Sequence, residues 1–302
     1  MDNNRKLSFD EQVEWLEDHN VNIKDVDRCK YYLKQKNYFY KLIGYVKRFN
    51  GDDKKIIDSF EKLIDISTLD MELRYCLLPL CLDIEHWIKT YILRIVTNDP
   101  NEDGYNIVNQ VINSDTNPED FKRKLFSSVS YYDMNQEFVI QPEYDEFYHN
   151  PPIWIILEIS SIGKLRSFIK YMSKQRPGNK DLLQINNSIK YINKLRNSCA
   201  HNREILTEDI YSNYNSKIPH NIYTSLRNDS FSKAQLYKSL FLKITLTLKM
   251  HKRLCSNEAH LHRIMELQEW IKRTQRFQEF YSTDDIFTMF FSDVKNIVDT
   301  YK

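Results

Sequence analysis

Arg196 and His201 are the residues of this chain best suited to do chemistry. They sit in the stretch Lys194-Leu195-Arg196-Asn197-Ser198-Cys199-Ala200-His201-Asn202-Arg203, which puts an arginine five positions before a histidine in a segment of helical character. The pair suits cleavage of an RNA phosphodiester without a metal. The imidazole takes or gives a proton near neutral pH, and the guanidinium holds the phosphate and the charge that develops on it. The 2′-hydroxyl of RNA would be the nucleophile, leaving a 2′,3′-cyclic phosphate and a 5′-hydroxyl. Asn197 lies four residues before His201, on the same helix face, as a polar supporter. This chemistry calls for no cofactor and no metal.

Upstream, Leu182, Ile185, Ile189 and Ile192 step by three and four residues, the spacing of one buried helix face, and the next steps fall on Arg196 and Cys199. An arginine is thus expected on a core face, where it needs an anionic partner or a polar cavity. Residues five apart on a straight helix point about 140° away from each other, so Arg196 and His201 cannot readily converge on one atom. A homodimer whose two motif helices face across a shared cleft would complete the site. The spacing alone fits equally well a helix-end arginine bonded to a carboxylate beside an exposed histidine. Arg253 and His260, with six residues between them, resemble a second copy. Leu254 follows that arginine where a polar residue is expected, and the pair reads as coincidence.

RNA also needs basic surface. Lys164, Arg166, Lys170, Lys174 and Arg176 precede the motif, Lys190 and Lys194 lead into it, and Arg203 follows it, forming a candidate phosphate track or an ordinary solvated helix face. Globally there is no such pull: 43 Lys and Arg stand against 42 Asp and Glu, a net charge of +1.

The scaffold for these residues reads as mostly α. Five Gly and eight Pro in 302 residues leave few turn-formers, against an all-β fold. Cys29, Cys76, Cys81, Cys199 and Cys255 show no paired spacing for zinc or redox work and read as buried thiols. The first residues lack the apolar core of a signal peptide, and the longest apolar run is too short to span a bilayer, so a soluble, cytoplasmic protein without membrane contact is expected.

Ser8-Phe9-Asp10-Glu11 announces a capped first helix with Val13 and Leu16 inside. A second helix is expected over 25–36, and a third carries Phe39, Leu42, Val46 and Phe49, with Gly44 at a close approach or bend. After a break at Asn50-Gly51-Asp52-Asp53 come a short helix over 60–64 and the longest one over 67–96, kinked near Pro79. Glu85-His86 on it reads as structural or solvated. Residues 98–152 form an irregular insertion with short helices over 105–112 and 118–129, one helix covers 153–172, and the motif helix spans 180–203. Residues 206–229 read as a loop. Three last helices are marked by Leu236, Leu240, Ile244 and Leu248; by Leu261, Ile264, Met265 and Trp270; and by Ile286, Phe290, Val294 and Ile297 behind a possible cap at Ser282. The expected organisation is an N-terminal helical region (1–66), a core with its insertion (67–230) and C-terminal helices packing on it (231–302).

Arg196-Asn197-Ser198-Cys199-Ala200-His201 resembles the R-N-x-C-A-H signature of the Abi-like (abortive infection) family of bacterial anti-phage proteins, within the HEPN superfamily. Leu7-Ser8-Phe9-Asp10-Glu11-Gln12 resembles that family's opening, and Asn37-Tyr38-Phe39-Tyr40-Lys41-Leu42-Ile43-Gly44-Tyr45 its N-Y-Y-R-L-x-G-Y segment. Phe60-Glu61-Lys62-Leu63-Ile64 with Leu69-Asp70-Met71-Glu72-Leu73-Arg74 resembles the middle block, and Pro151-Pro152-Ile153-Trp154 the P-P-I-W block. The resemblance implies an all-α HEPN-type bundle, metal-independent endoribonuclease activity in phage defence, and kinship with the RNA-guided ribonucleases of type VI CRISPR systems. It assigns catalysis to Arg196 and His201, with Asn197 beside them. Some relatives work with a small structured RNA, so the alternative is a non-catalytic protein that grips such an RNA through the same motif; a plain helical interaction module is the third reading. Many relatives have a second histidine after the first and then R-L-W, where this chain has Asn202-Arg203-Glu204-Ile205-Leu206. Superfamily toxins silenced by nucleotidyl transfer carry a tyrosine two residues after the histidine; Arg203 stands there instead.

Overall fold

Ser8 starts the first helix by the reciprocal capping its sequence foretells: its Oγ accepts from the Glu11 N–H at 3.2 Å, and the Glu11 carboxylate accepts from the Ser8 N–H at 2.7 Å. In the computed structural model the described residues are 5–36, 39–51, 55–207, 218–281 and 285–302. Asn37, Tyr38, Asp52, Asp53 and Ser282, and residues 208–217 of the expected loop, lie outside them.

The fold is all-α apart from one small hairpin among the described residues. Helices α1 (Phe9–Asp18), α2 (Val26–Gln35) and α3 (Phe39–Phe49) lead to α4 (Phe60–Thr97), the central mast. Against α4 pack α10 (Lys180–Ala200), α13 (Ser239–Leu254) and α14 (Asn257–Thr274), while α9 (Ile162–Gln175) lies on α10, and α15 (Ile286–Tyr301) closes over α13 and α14. Leu63, Leu73, Leu77, Leu80, Ile84 and Ile88 of α4 are wholly buried, and each such side chain contributes roughly 1.5–3 kcal/mol. A single apolar core runs from Val13 to Tyr301. No helix of the described residues is long and apolar enough to cross a membrane.

Several expected boundaries move. The helices expected over 60–64 and 67–96 are one, because Ser67 Oγ and Thr68 Oγ1 donate back to the Ile64 carbonyl at 2.9 and 2.8 Å and stay inside the helical turn. The helix also runs through Pro79, which cannot donate to the Tyr75 carbonyl. Conversely, the helix expected over 153–172 is two, α8 (Ile153–Ile159) and α9, parted where Ser160 and Ser161 turn extended and Ser128 Oγ donates to the Ile159 carbonyl at 2.8 Å. The insertion holds α5 (Asn106–Asn113) and α6 (Pro118–Phe126), as expected, and two elements not foreseen: the hairpin β1 (Ser130–Tyr132) and β2 (Phe138–Ile140), and α7 (Pro142–His149). Residues 206–229 are not all loop, since α11 (His220–Asn228) lies among them, followed by α12 (Lys233–Leu236). On α14 the buried residues are His260, Ile264, Leu267, Trp270 and Thr274, whereas Leu261 and Met265 are exposed. Trp270 Nε1 donates to the Leu69 carbonyl at 2.9 Å and fixes that rotation. Asp285 caps α15, its carboxylate accepting from the Phe287 N–H.

Candidate functional site at the end of the motif helix

Asn179 begins α10 by accepting from the Asp181 and Leu182 N–H groups, and Leu182, Ile185, Ile189 and Ile192 form its buried face as expected. The next step differs. The stripe continues through Leu195, 0% exposed, and Cys199, so Arg196 is not in the core but at its border with 27% of its side chain exposed. The period of 3.6 permits a step of three as readily as four, and the aliphatic residue takes the interior. Arg196 still finds an anion: its Nε lies 3.9 Å from Glu85 Oε2 on α4, and its Nη1 donates to Asn197 Oδ1 at 3.4 Å. The Arg196 Nε is buried without a hydrogen-bond acceptor among the described residues. Glu85, which the sequence marks as structural or solvated, is thus a long-range ion-pair partner of the motif arginine without a hydrogen bond to it.

His201 ends the helix with an exposed side chain while its N–H donates to the Asn197 carbonyl at 3.0 Å. After it the chain turns by a Schellman motif: the Asn202 N–H donates to Cys199 at 3.2 Å and the Arg203 N–H to Ser198 at 3.0 Å. That turn needs a left-handed residue, and Asn202 adopts φ 54° there. Asparagine is one of the few residues besides glycine that adopts this conformation readily, so Asn202 has a structural role there. Asn202 Oδ1 also accepts from Lys41 Nζ of α3 at 3.0 Å.

A buried ion pair holds this turn from below. Asp70 and Arg74 on α4 bond each other, Asp70 Oδ1 accepts from the Leu206 N–H at 2.7 Å, and Arg74 Nη1 donates to the Arg203 carbonyl at 2.9 Å. Glu204, between these anchors, rests its carboxylate on Gly44, where an added Cβ would meet it at 3.5 Å. Sequence reasoning missed Asp70, Arg74 and Lys41. The signal was present for the first two: they fall among Ile66, Leu69, Leu73 and Leu77, charged residues on an apolar stripe.

The basic residues separate. Gly163 of α9 approaches Asn193 of α10, so the two antiparallel helices are level there, and the exposed Arg166, Lys190 and Lys194 lie towards the motif end. Lys170 and Lys174, also exposed, run away from it towards the start of α10, roughly 22 and 28 Å from His201 along the helix. Lys164 is engaged internally, its ammonium donating to the Leu125 carbonyl at 2.9 Å and Ser128 Oγ at 3.3 Å, and Arg176 pairs with Asp99 and Glu102. Arg203 is exposed beyond the turn.

The Arg253 and His260 pair is structural. Arg253 bonds Asp181 at 2.6 Å. His260 is buried, its Nδ1 3.0 Å from His251 Nδ1 and its Nε2 2.7 Å from the Tyr301 carbonyl, while His251 Nε2 lies 3.2 Å from Asp83, which also accepts from Arg263. Burial pushes His260 below its ordinary value and His251 down to about 4, and full protonation of both rings would set one N–H against another. The unfolded chain takes up protons on these rings below roughly pH 6.5, where the folded chain resists. Their contribution to stability is therefore complete above that pH and is lost as pH falls towards 4. Urea midpoints measured from pH 7.5 to 4.5 should fall accordingly, and less in a His251→Leu, His260→Leu double variant; equal acid sensitivity in the two proteins would contradict this.

No curated protein and no solved structure matches the chain significantly. A family model described as Abi-like protein matches residues 31–207, more than half of the sequence. That span contains Lys41, Asp70, Arg74, Glu85, Arg196, Asn197 and His201, the residues that build the end of α10 and hold it on α3 and α4. The chain belongs to the Abi-like protein family.

Proposed function

We propose that this protein is a metal-independent endoribonuclease of the HEPN type that acts in bacterial defence against phage, with His201 as general acid or base, Arg196 stabilising the phosphate and Asn197 supporting both. The observation that carries this reading is the end of α10: an exposed imidazole, held by a Schellman turn, one and a half helical turns from a guanidinium that keeps part of its surface free. Two copies of the helix facing each other in a homodimer bring the arginine of one and the histidine of the other to one phosphate. Arg166, Lys190, Lys194 and Arg203 would lead the RNA backbone towards it.

Incubation with single-stranded RNA in the presence of EDTA is expected to give fragments ending in a 2′,3′-cyclic phosphate and beginning with a 5′-hydroxyl. Fragments with 5′-phosphates, or cleavage abolished by the chelator, would refute the mechanism. The contact of Arg196 with Glu85 favours one alternative, a protein that grips a cognate structured RNA without cutting it, because the carboxylate offsets part of the charge available to a reacting phosphate. That alternative predicts copurifying RNA whose ends stay intact.

A further inference from the structure

Beside the end of the motif helix opens a cleft of about 490 Å³, bounded by the end of α2, the start of α3 and the flank of α4, with Asn202 on its wall. Lys34, Lys36 and Lys41 line it with Tyr75, Ser67 and Thr68, and none of its described lining residues is a carboxylate. Lys34 and Lys36 are exposed at its mouth, and Tyr75 is exposed as well. Lys41 differs in being only 5% exposed, and its ammonium donates at 3.0 Å to a neutral amide, that of Asn202. Burial, with Arg74 beneath, pushes Lys41 down to about 8, and the Glu204 carboxylate offsets this only in part. A buried ammonium without an anion in contact gains from any anion that arrives. Asn202 adjoins His201 and bonds Lys41, so whatever fills the cleft lies next to the motif.

We propose that this cleft binds a phosphodiester segment of single-stranded RNA, with Lys41 at its base and Lys34 and Lys36 at its mouth holding phosphate oxygens, and Tyr75 offering a ring face to an unstacked base. The assignment rests on RNA being the ligand of the motif, and it adds the surface that positions the strand relative to His201. Lysine point charges suit a backbone read without sequence preference, and an exposed aromatic ring accepts any base. Neither the Lys41 cleft nor Tyr75 belongs to the α9–α10 track, so the strand would cross the motif from one basic surface to the other.

Binding of a labelled single-stranded RNA oligonucleotide to full-length His201→Ala protein, followed by fluorescence anisotropy, tests this. Adding Lys41→Met, or Lys34→Glu with Lys36→Glu, is expected to weaken binding by about tenfold or more. In the His201→Ala protein, affinity should fall as pH rises through and above 8, by up to the factor that Lys41→Met costs, because Lys41 loses its proton there, with Arg74, Asp70 and Glu204 as its charged neighbours. Lys41→Arg, which stays charged, should flatten that profile. Thermal melts monitor folding, and the exposed Lys34 and Lys36 pair decides the question should Lys41→Met unfold. Unchanged affinity in the double variant, with pH profiles that do not differ between Lys41 and arginine at that position, overturns the cleft while leaving the ribonuclease reading standing. Absence of RNA binding by the His201→Ala protein together with absence of cleavage by the unsubstituted protein overturns both.

Discussion

Replacing His201 by alanine is expected to lower RNA cleavage by roughly 10²–10⁴-fold, the usual contribution of one positioned acid or base. The fold should survive the change. The His201 side chain is exposed, and the interactions that end α10 use its backbone N–H, not its ring. Loss of activity with an unchanged melting temperature and retained RNA binding would thus locate the effect in chemistry. A His201→Ala protein that cuts as fast as the parent would remove the imidazole from the mechanism.

The same variant tests whether two chains share a site. If each site takes its arginine from one protomer and its histidine from the other, mixing His201→Ala chains with Arg196→Ala chains regenerates one intact site in every mixed dimer. Random pairing then restores about a quarter of the parent activity, since half the dimers are mixed and each has one working site of two. If one protomer supplies both groups, the mixture stays as inactive as its components. Arg196→Ala carries a structural cost that His201→Ala does not, because it leaves the half-buried Glu85 carboxylate with Lys89, paired to its Oε1, as its ion-pair partner among the described residues. Its effect should therefore be read against its own stability.

The outline of this fold was legible where a local rule acts alone. The Ser8 capping box and the faces of α3 and α15 follow from side-chain spacing and short-range hydrogen bonds, and they stand as expected. What failed depends on partners distant in sequence. The gap expected at Asp65 and Ile66 is helical, with the Asp65 carboxylate accepting from Arg273 and Tyr281 far along the chain, and Ser160 and Ser161, expected as helix, open beside Ile159, whose carbonyl accepts from Ser128. The phase of α14 was misjudged because His260 and Trp270 are fixed by carbonyls of α15 and α4, which no window of sequence contains. At the site, Arg196 falls on the apolar stripe by spacing but lies at the border of the core. Asp70 and Arg74 are the charges actually buried.

Asp70→Asn should destabilise the protein by roughly 3–5 kcal/mol, lowering the melting temperature by on the order of 10 °C. The substitution keeps shape and removes charge. The pair is nearly inaccessible, at 0% for the Asp70 side chain and 1% for Arg74, and Arg74 already leaves its Nε and Nη2 buried without acceptors among the described residues. Without the carboxylate, the guanidinium becomes a buried cation facing Lys41 from below, and water cannot reach it. Arg74→Met with Asp70→Leu, which removes both charges, should cost less than Asp70→Asn alone, because only the hydrogen bonds to Leu206 and Arg203 are then lost, at about 1 kcal/mol each. The double variant frees the segment 203–206 that anchors the Schellman turn, so its cleavage should fall although it folds well. That separation of activity from stability marks the pair as a positioning device for His201 rather than a mere core feature. Urea denaturation of the two variants beside their cleavage rates provides the measurement, and an Asp70→Asn protein within 1 kcal/mol of the parent would show that the buried pair does not anchor the turn.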